Sequence, residues 1–251
     1  MNAFPKNGLK AVLGLVLAIG MSQPLYAVNL HDGLISYWQL NEGSGTTAGD
    51  TGPAGGVADA GTLRNSPTWI SGIFGAGLQF NGVDQDVLIP NSTDMDVNTQ
   101  GVTLSAWVKL DQLPSEIAGS FSGIFDSVPD SYVMYLDKSA NELRFKATAT
   151  GNGAERPGVP AKMLDTTAWH HVMGVFDGGT AGANKIYFDG QLVDIHSALP
   201  LQNQTVKAGQ ISGIGGQPAV DPPNVSGSFF QGGISDVAPW DRPPGPAEAQ
   251  D

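Results

Sequence analysis

The carboxylates of this chain are the first residues to test for chemistry, because hydrolysis of a glycosidic bond needs two carboxyl groups roughly 5–10 Å apart. Glutamates are few and scattered along the sequence: Glu42, Glu116, Glu142, Glu155 and Glu248. Close pairs occur among aspartates, in stretches typical of turns and loops: Asp84 with Asp86, Asp94 with Asp96, and Asp189 with Asp194. We therefore expect the chain not to be an enzyme, and a glycosidase is the least favoured alternative.

Two adjacent histidines, His170 and His171, are the residues most suggestive of a base or a metal site. Successive side chains of a β-strand point to opposite faces of the sheet, so neighbours cannot bind one ion together. The Gly-x-Ser-x-Gly motif, which would favour a serine nucleophile, does not occur in the sequence. We expect both histidines to be structural.

Calcium binding is the chemistry that the acidic, glycine-rich loops favour most. Calcium takes about six to eight oxygen ligands, which carboxylates, amides and backbone carbonyls in such loops supply. One candidate set joins the two ends of the chain and consists of Asp50, Asn81 and Asp236. We expect these residues to hold a structural calcium ion; the alternative is that they only form turns.

Exposed aromatic rings are the residues that would stack on the face of a sugar, with amides and carboxylates nearby to bind its hydroxyls. The candidates are Trp107, Tyr132, Tyr135 and Phe230. The chain has only five tryptophans and five tyrosines with which to fill its interior. Each candidate therefore has the alternative role of packing in the core or on a sheet face.

The N-terminus has the layout of a secretory signal peptide. Lys6 and Lys10 precede an apolar run over residues 11–21, which Pro24 ends before Ala27. A membrane-spanning helix needs about 20 apolar residues, and this run is roughly half as long. We expect residues 1–27 to be a signal peptide and the mature protein to be secreted, to an extracellular or periplasmic location, with no membrane span after cleavage.

Composition favours one all-β domain after the leader. The chain has 34 glycines and 17 prolines, few charges and no sustained helical spacing of apolar residues, which favours short strands joined by tight turns. It has no cysteine, which excludes disulfides and thiolate metal sites. Loss of the leader leaves 10 basic and 24 acidic residues, a net charge of −14. Nucleic acid and anionic membranes are therefore not expected partners.

Several segments alternate between apolar and polar residues as strands do. The clearest is VTLSAWVKL, in which every second residue from Val102 to Leu110 is apolar and is expected to face the core. GLISYWQL predicts a first strand, and a long surface loop from Gly43 to Gly61 follows it. WHHVMGVFDGG is apolar on both faces and predicts a central strand, and FFQGGISDVAPW predicts the last strand.

Three turns predict hairpins. Asn81-Gly82 separates two strand-like runs, which is a strong hairpin signal. Asp189-Gly190 suits a two-residue turn, and a polar stretch over residues 138–141 joins SYVMYLD to ELRFKAT. The Pro-rich residues 243–251 predict a flexible tail.

The order of six landmarks resembles the laminin-G-like, pentraxin-related concanavalin A-like lectin/glucanase superfamily. The landmarks are ISYWQLNEGSGTTAGD, LQFNGVDQDVLIP, TLSAWVKL, AWHHVMGVFDGG, KIYFDGQLV and GGISDVAPWDR. The resemblance implies that residues 28–242 form one laminin-G-like domain, an antiparallel two-sheet jelly-roll sandwich with one concave and often ligand-bearing face. The Glu-x-Asp-x-Glu run of the superfamily's glucanases does not occur in this sequence.

The resemblance also implies a second, pentraxin-like place for calcium. Its ligands would be Asp130, Ser131, Gln217 and Asp221, although the matching motif is poor in acids. Fold resemblance alone does not fix function. We predict a secreted, non-catalytic module that binds carbohydrate, a cell-surface glycan or another extracellular surface component, with calcium. The main alternative is a structural or adhesive envelope protein without a soluble ligand.

Overall fold

The computed structural model describes residues 31–52, 59–90, 95, 101–127, 132–147, 156–177, 183–197, 211–218 and 228–244. Within these ranges the chain forms two single-turn 3-10 helices, Pro114–Glu116 and Ala161–Met163, and fifteen strands. The strands are β1 Thr47–Ala48, β2 Gly61–Arg64, β3 Thr68–Ser71, β4 Ala76–Asn81, β5 Asp86–Ile89, β6 Gly101–Leu110, β7 Phe121–Ser127, β8 Tyr132–Asp137, β9 Glu142–Ala147, β10 Gly158–Pro160, β11 His170–Asp177, β12 Ala183–Phe188, β13 Gln191–Ser197, β14 Ser212–Ile214 and β15 Gln231–Trp240.

The strands form two antiparallel sheets, which confirms the predicted all-β jelly-roll sandwich. The eight-stranded sheet has the order β1-β2-β5-β14-β7-β8-β9-β10, and the seven-stranded sheet has the order β13-β12-β11-β6-β15-β4-β3. Their inner faces share one apolar core. Neighbouring strands in each sheet are often distant in the sequence, so side chains from distant segments meet on both outer faces.

Strand β6 shows why the sheets face as they do. Val102, Leu104, Ala106, Val108 and Leu110 are all buried in the core, as their alternation predicts. The intervening side chains therefore lie on the outer face of the seven-stranded sheet. The central position predicted for WHHVMGVFDGG is also confirmed, because β11 lies between β6 and β12.

Two of the three predicted hairpins are confirmed. Strands β8 and β9 pair across residues 138–141, where the Asp137 carboxylate accepts hydrogen bonds from the backbone of Ser139 and Ala140. Strands β12 and β13 pair across Asp189-Gly190, and both turn residues have positive φ angles, 48° and 74°. These angles match a type I′ turn, which Asp-Gly favours.

The hairpin predicted at Asn81-Gly82 is wrong, because β4 and β5 belong to different sheets. The Asn81 side chain accepts hydrogen bonds from the backbone N–H groups of Val83 and Asp84, and Gly82 has a φ of 72°. The Asn81 side chain closes this turn, which leads the chain from β4 in one sheet to β5 in the other. Asn-Gly fixes a tight turn but does not decide whether the two flanking strands pair.

The predicted first strand, residues 34–40, pairs with β15 through single bridges. Trp38 bridges to Val237 and Asp50, and Leu34 bridges to Trp240. The segment lies beside the part of β15 that follows Ile234, where the pairing of β15 with β4 ends. Its alternation holds, since Trp38 and Leu40 are fully buried.

Candidate functional site

A groove of about 180 Å³ lies on the outer face of the eight-stranded sheet. We call it the β8 groove and define it by six side chains: Phe121, Asp126, Tyr135, Lys146, Arg156 and Gln217. It draws them from β7, β8, β9 and the segments that precede β10 and follow β14. The groove thus depends on the sheet order and not on any continuous motif.

Strand alternation explains which side chains of β8 enter the groove. Tyr132, Met134 and Leu136 point into the core, whereas Val133 and Tyr135 line the groove on the other face. Val133 is also the register partner of Asp126 on β7 and of Lys146 on β9. The outer face therefore carries a row of side chains that crosses three strands.

The aromatic part of the β8 groove consists of Phe121 and Tyr135. Their ring centroids are 5.5 Å apart with an interplanar angle of 79°, an edge-to-face contact. Phe121 is 44% exposed, whereas Tyr135 is only 7% exposed. Such a pair offers one accessible apolar ring on a firmly packed partner, the type of surface on which a sugar ring stacks.

The polar part of the groove is predominantly basic. Lys146 and Arg156 line it together with a single carboxylate among the described lining residues, Asp126. Burial raises the pKa of the Tyr135 hydroxyl, and the neighbouring charge of Arg156 opposes this increase only in part. The hydroxyl therefore stays protonated at neutral pH and can donate a hydrogen bond. The side-chain amide of Gln217 adds a neutral donor and acceptor.

The four predicted sugar-stacking aromatics do not share one site. Tyr135 lines the β8 groove, whereas Trp107 lies on the outer face of the other sheet. Tyr132 and Phe230 have no exposed surface, and Tyr132 stacks on Phe125 in the core. The physical reason is alternation: Tyr132 and Tyr135 are three residues apart on one strand and so point to opposite faces.

The sequence patterns do not indicate Phe121, Lys146 or Arg156 as site residues. Phe121 begins β7 after a loop, where no apolar period indicates which face it occupies. Arg156 precedes the three-residue strand β10. For Phe121 and Arg156, the residue type is the only sequence signal.

A second groove, of about 270 Å³, lies on the outer face of the seven-stranded sheet. We call it the β6 groove and define it by Tyr37, Phe74, Ser105, Trp107, Asp236 and Trp240. Phe74 is 69% exposed and contacts Trp107 edge to face at 5.9 Å. This groove is richer in aromatic rings than the β8 groove, and no lysine or arginine is among the described residues that line it.

Ser105 and His171 form a hydrogen-bonded pair beside the β6 groove, with 2.7 Å between Oγ and Nε2. Burial lowers the pKa of His171, so its ring is neutral at physiological pH. In a catalytic triad a third group orients the histidine through its other ring nitrogen. In the part of the chain that the structure describes, no carboxylate side chain hydrogen-bonds to Nδ1 of His171. The pair therefore packs Trp107 in place and lacks the arrangement of a triad.

The two histidines point to opposite faces, as alternation predicts. His170 stacks on Phe188 and hydrogen-bonds to Asp189 and Asp165, at 2.8 and 3.0 Å, whereas His171 contacts Trp107. His170 therefore ties the start of β11 to the β12–β13 turn and to the loop before β11.

Replacing His170 with glutamine should reduce stability more at about pH 5.5 than at about pH 9. Partial burial alone would lower the pKa of His170, but its hydrogen bonds with Asp189 and Asp165 outweigh burial and raise the net pKa above 6.5. The resulting stabilisation is fully present below the unfolded-state pKa and is lost as the pH rises through the folded-state pKa. Thermal unfolding of both proteins across this range measures the effect. A gap in melting temperature that is constant or widens towards high pH would contradict it.

The residues predicted to hold a structural calcium ion serve other bonds. The Asp50 carboxylate accepts three backbone N–H groups, from Tyr37, Gly52 and Asp59, at 2.8–3.1 Å. Asp236 accepts the hydroxyls of Tyr37 and Ser235. Asp50 and Asp236 thus bind opposite ends of Tyr37, and their oxygens face hydrogen-bond donors.

Asn81 lies well away from that pair. It pairs with Gln231 at the start of β15, five residues before Asp236 and so about 16 Å from it along the strand. The described geometry therefore does not assemble these three residues into one coordination shell. Of the pentraxin-like set, Gln217 lines the β8 groove, and Asp130, Ser131 and Asp221 lie outside the described residues.

Within the described ranges, no three histidine, aspartate or glutamate side chains lie close enough together to share a metal ion. No helix in these ranges is both long and apolar enough to cross a membrane.

Comparison with solved structures finds the same sandwich in proteins of low sequence identity. Domain 4 of an extracellular GH43 arabinanase from Geobacillus stearothermophilus, solved in complex with arabinotriose, is 16% identical, with 87% of this chain and 97% of that one covered and a TM-score of 0.55. Botulinum neurotoxin type C, whose cell entry is described as dependent upon interaction with two ganglioside molecules, is 15% identical over 88% of this chain and 50% of that one, with a TM-score of 0.62. Trypanosoma rangeli sialidase in complex with 2,3-difluorosialic acid is 17% identical over 87% of this chain and 32% of that one, with a TM-score of 0.57.

At such identities the likeness establishes the fold alone. No curated protein sequence matches this chain. The family is established by a match that covers more than half of the sequence, residues 81–250, to the family model described as "Concanavalin A-like lectin/glucanases superfamily". The chain therefore belongs to the concanavalin A-like lectin/glucanase superfamily.

Proposed function

We propose that this protein is a secreted, non-catalytic module that binds a glycan in the β8 groove. The observation that carries the proposal is the exposed ring of Phe121, which contacts Tyr135 edge to face in a groove that also holds polar and charged side chains. An accessible ring with hydrogen-bonding groups beside it matches both surfaces of a sugar, its apolar face and its hydroxyl rim.

The size of the groove supports a part of a glycan as the ligand. Its volume of about 180 Å³ is below the roughly 300–1,000 Å³ typical of pockets that enclose a drug-sized molecule. We therefore expect the groove to hold a terminal sugar or one unit of a longer chain, with modest affinity.

The lining supports binding over catalysis. A glycosidase needs two carboxyl groups across the scissile bond, whereas Asp126 is the single carboxylate among the groove residues that the structure describes. Three structural neighbours support a glycan as the ligand class. They are the arabinanase domain in complex with arabinotriose, botulinum neurotoxin type C described with two ganglioside molecules, and the binding domain of botulinum neurotoxin DC in complex with SialylT.

Replacing Phe121 with alanine should weaken glycan binding about tenfold, which corresponds to about 1.4 kcal/mol. The stacking surface is lost, while Tyr135 keeps its place on the outer face of β8. The measurement is a glycan-array screen of residues 28–251, followed by titration calorimetry of the strongest hit with wild type and variant.

The matched control is Phe74→Ala, which removes an exposed phenylalanine from the β6 groove on the opposite sheet. We expect this variant to bind like the wild type. Loss of binding in Phe74→Ala but not in Phe121→Ala would move the site to the β6 groove. Release of shortened products from the bound glycan would contradict a non-catalytic role, and an array with no selective signal would favour the structural or adhesive alternative.

Calcium stays a prediction of this proposal. The same titration in calcium and in EDTA tests it, because a ligand-bridging ion would make binding depend on calcium. Binding that survives in EDTA would separate glycan recognition from calcium.

A further inference from the structure

We infer that the saccharide held in the β8 groove carries a carboxylate, and that Arg156 is the residue that binds this group. The inference rests on the proposed function, because it names the class of glycan that the same groove takes. It is carried by the place of the Arg156 guanidinium, which lines the groove beside the Tyr135 hydroxyl.

The register of β9 and β10 places Arg156 beside Lys146. Gly158 pairs with Arg144, and the N–H of Phe145 bonds to the carbonyl of Pro157 at 3.1 Å. Continuing this antiparallel register by one more pair sets Arg156 opposite Lys146, and both side chains line the same groove. Directly opposed side chains on adjacent strands lie about 5 Å apart at Cβ.

The described lining residues carry two basic groups, Lys146 and Arg156, and one carboxylate, Asp126. The lining therefore has one net positive charge, in a chain with 24 acidic against 12 basic residues. Such a local excess of positive charge favours an anionic ligand.

The other three arginines show what an arginine does elsewhere in this fold. Arg64 pairs with Asp86, Arg144 with Asp137 and Glu142, and Arg242 with Asp32. Across the described ranges, no carboxylate lies within ion-pairing distance of Arg156. Its guanidinium instead lies beside the Tyr135 hydroxyl at the groove.

Arginine is suited to a carboxylate because its planar N–H groups match the two oxygens of that group. The surrounding polar groups complete the match. Tyr135 can donate its hydroxyl proton, and Lys146 adds positive charge from the neighbouring strand. The ring of Phe121 remains for the sugar face, so one groove can bind the anionic substituent and the ring that carries it.

The test uses two matched pairs of probes that differ in the carboxylate. These are α2,3-sialyllactose with lactose, and trigalacturonate with its methyl ester. We expect the acidic member of at least one pair to bind about tenfold more tightly than its neutral partner. Raising the salt concentration should reduce this preference, because salt screens the charge attraction.

The variant Arg156→Gln should abolish the preference, because it weakens binding of the acidic probe far more than binding of the neutral one. Its control, Lys162→Gln, removes the same charge from the exposed turn Ala161–Met163 outside the groove and should keep the preference. Without ligand, Arg156→Gln should melt close to the wild-type temperature, because no carboxylate among the described residues pairs with Arg156. This melt also establishes that the variant folds.

The possible outcomes separate the inference from the proposed function. Equal binding of acidic and neutral probes, with binding still lost in Phe121→Ala, would overturn the inference and leave the glycan site intact. A preference that persists in Arg156→Gln, or stronger binding of 3′-sulfated lactose than of sialyllactose, would also overturn it. Failure of all of these probes to bind would overturn the inference, whereas the array screen with Phe121→Ala and Phe74→Ala decides the proposed function separately.

Discussion

Replacing Arg64 with methionine is expected to lower the free energy of unfolding by about 3 kcal/mol. Arg64 on β2 and Asp86 on β5 are register partners, and the guanidinium binds the carboxylate through two nitrogens, with 2.6 Å between Nε and Oδ1. The Asp86 side chain has no exposed surface, whereas Arg64 is 28% exposed. The substitution leaves a buried carboxylate without its counter-charge, which costs far more than loss of an exposed ion pair.

Two control proteins make the reason testable by urea unfolding. Arg242→Met removes an ion pair whose aspartate, Asp32, is 77% exposed, and should cost under about 1 kcal/mol. The double variant Arg64→Met with Asp86→Leu should recover much of the loss, because the buried charge is gone. If the double variant is as unstable as Arg64→Met alone, the cause is not the unpaired carboxylate.

Replacing Trp38 with alanine is expected to cost about 3–5 kcal/mol, the range for deleting a large buried aromatic side chain. Trp38 is fully buried and its ring lies 6.2 Å from that of Phe125. Its indole N–H donates to the Asp59 carbonyl at 2.8 Å, so the substitution also orphans a buried acceptor. Because Phe125 on β7 is flanked by groove residue Asp126, this packing supports the β8 groove from its inner side.

The control is Trp107→Ala, since Trp107 is partly exposed on the opposite outer face. Its loss should cost clearly less than that of Trp38 in the same unfolding experiment. Similar losses for the two tryptophans would contradict the assignment of Trp38 as the central packing residue between the first segment and the eight-stranded sheet.

Local patterns in the sequence were sufficient for much of the fold. The alternation in VTLSAWVKL identified the core face of β6, and Asp189-Gly190 identified a hairpin whose backbone angles match the expected turn. Both signals are local, since period-two alternation and a preference for positive φ act within a few residues. Asn81-Gly82 failed because the pairing of its flanking strands depends on the whole sandwich.

The candidate site was harder to predict because it is assembled by strand neighbours. Tyr135 was identified, but sequence alone did not separate it from Tyr132, which faces the core from the same strand. Arg156 can be recognised as a site residue only from the strand register, which sets it opposite Lys146, ten residues earlier in the chain. Gln217, a predicted calcium ligand, lies among the lining residues of the groove, a position that its local sequence does not indicate.

The most direct test of the central claim is a crystal structure of residues 28–251 with the glycan that binds most tightly in the array screen. We predict a sugar ring against Phe121 in the β8 groove, with its polar groups within hydrogen-bonding distance of Arg156, Tyr135 or Gln217. The same glycan seated on Phe74 and Trp107 in the β6 groove, or bound at neither groove, would contradict the account.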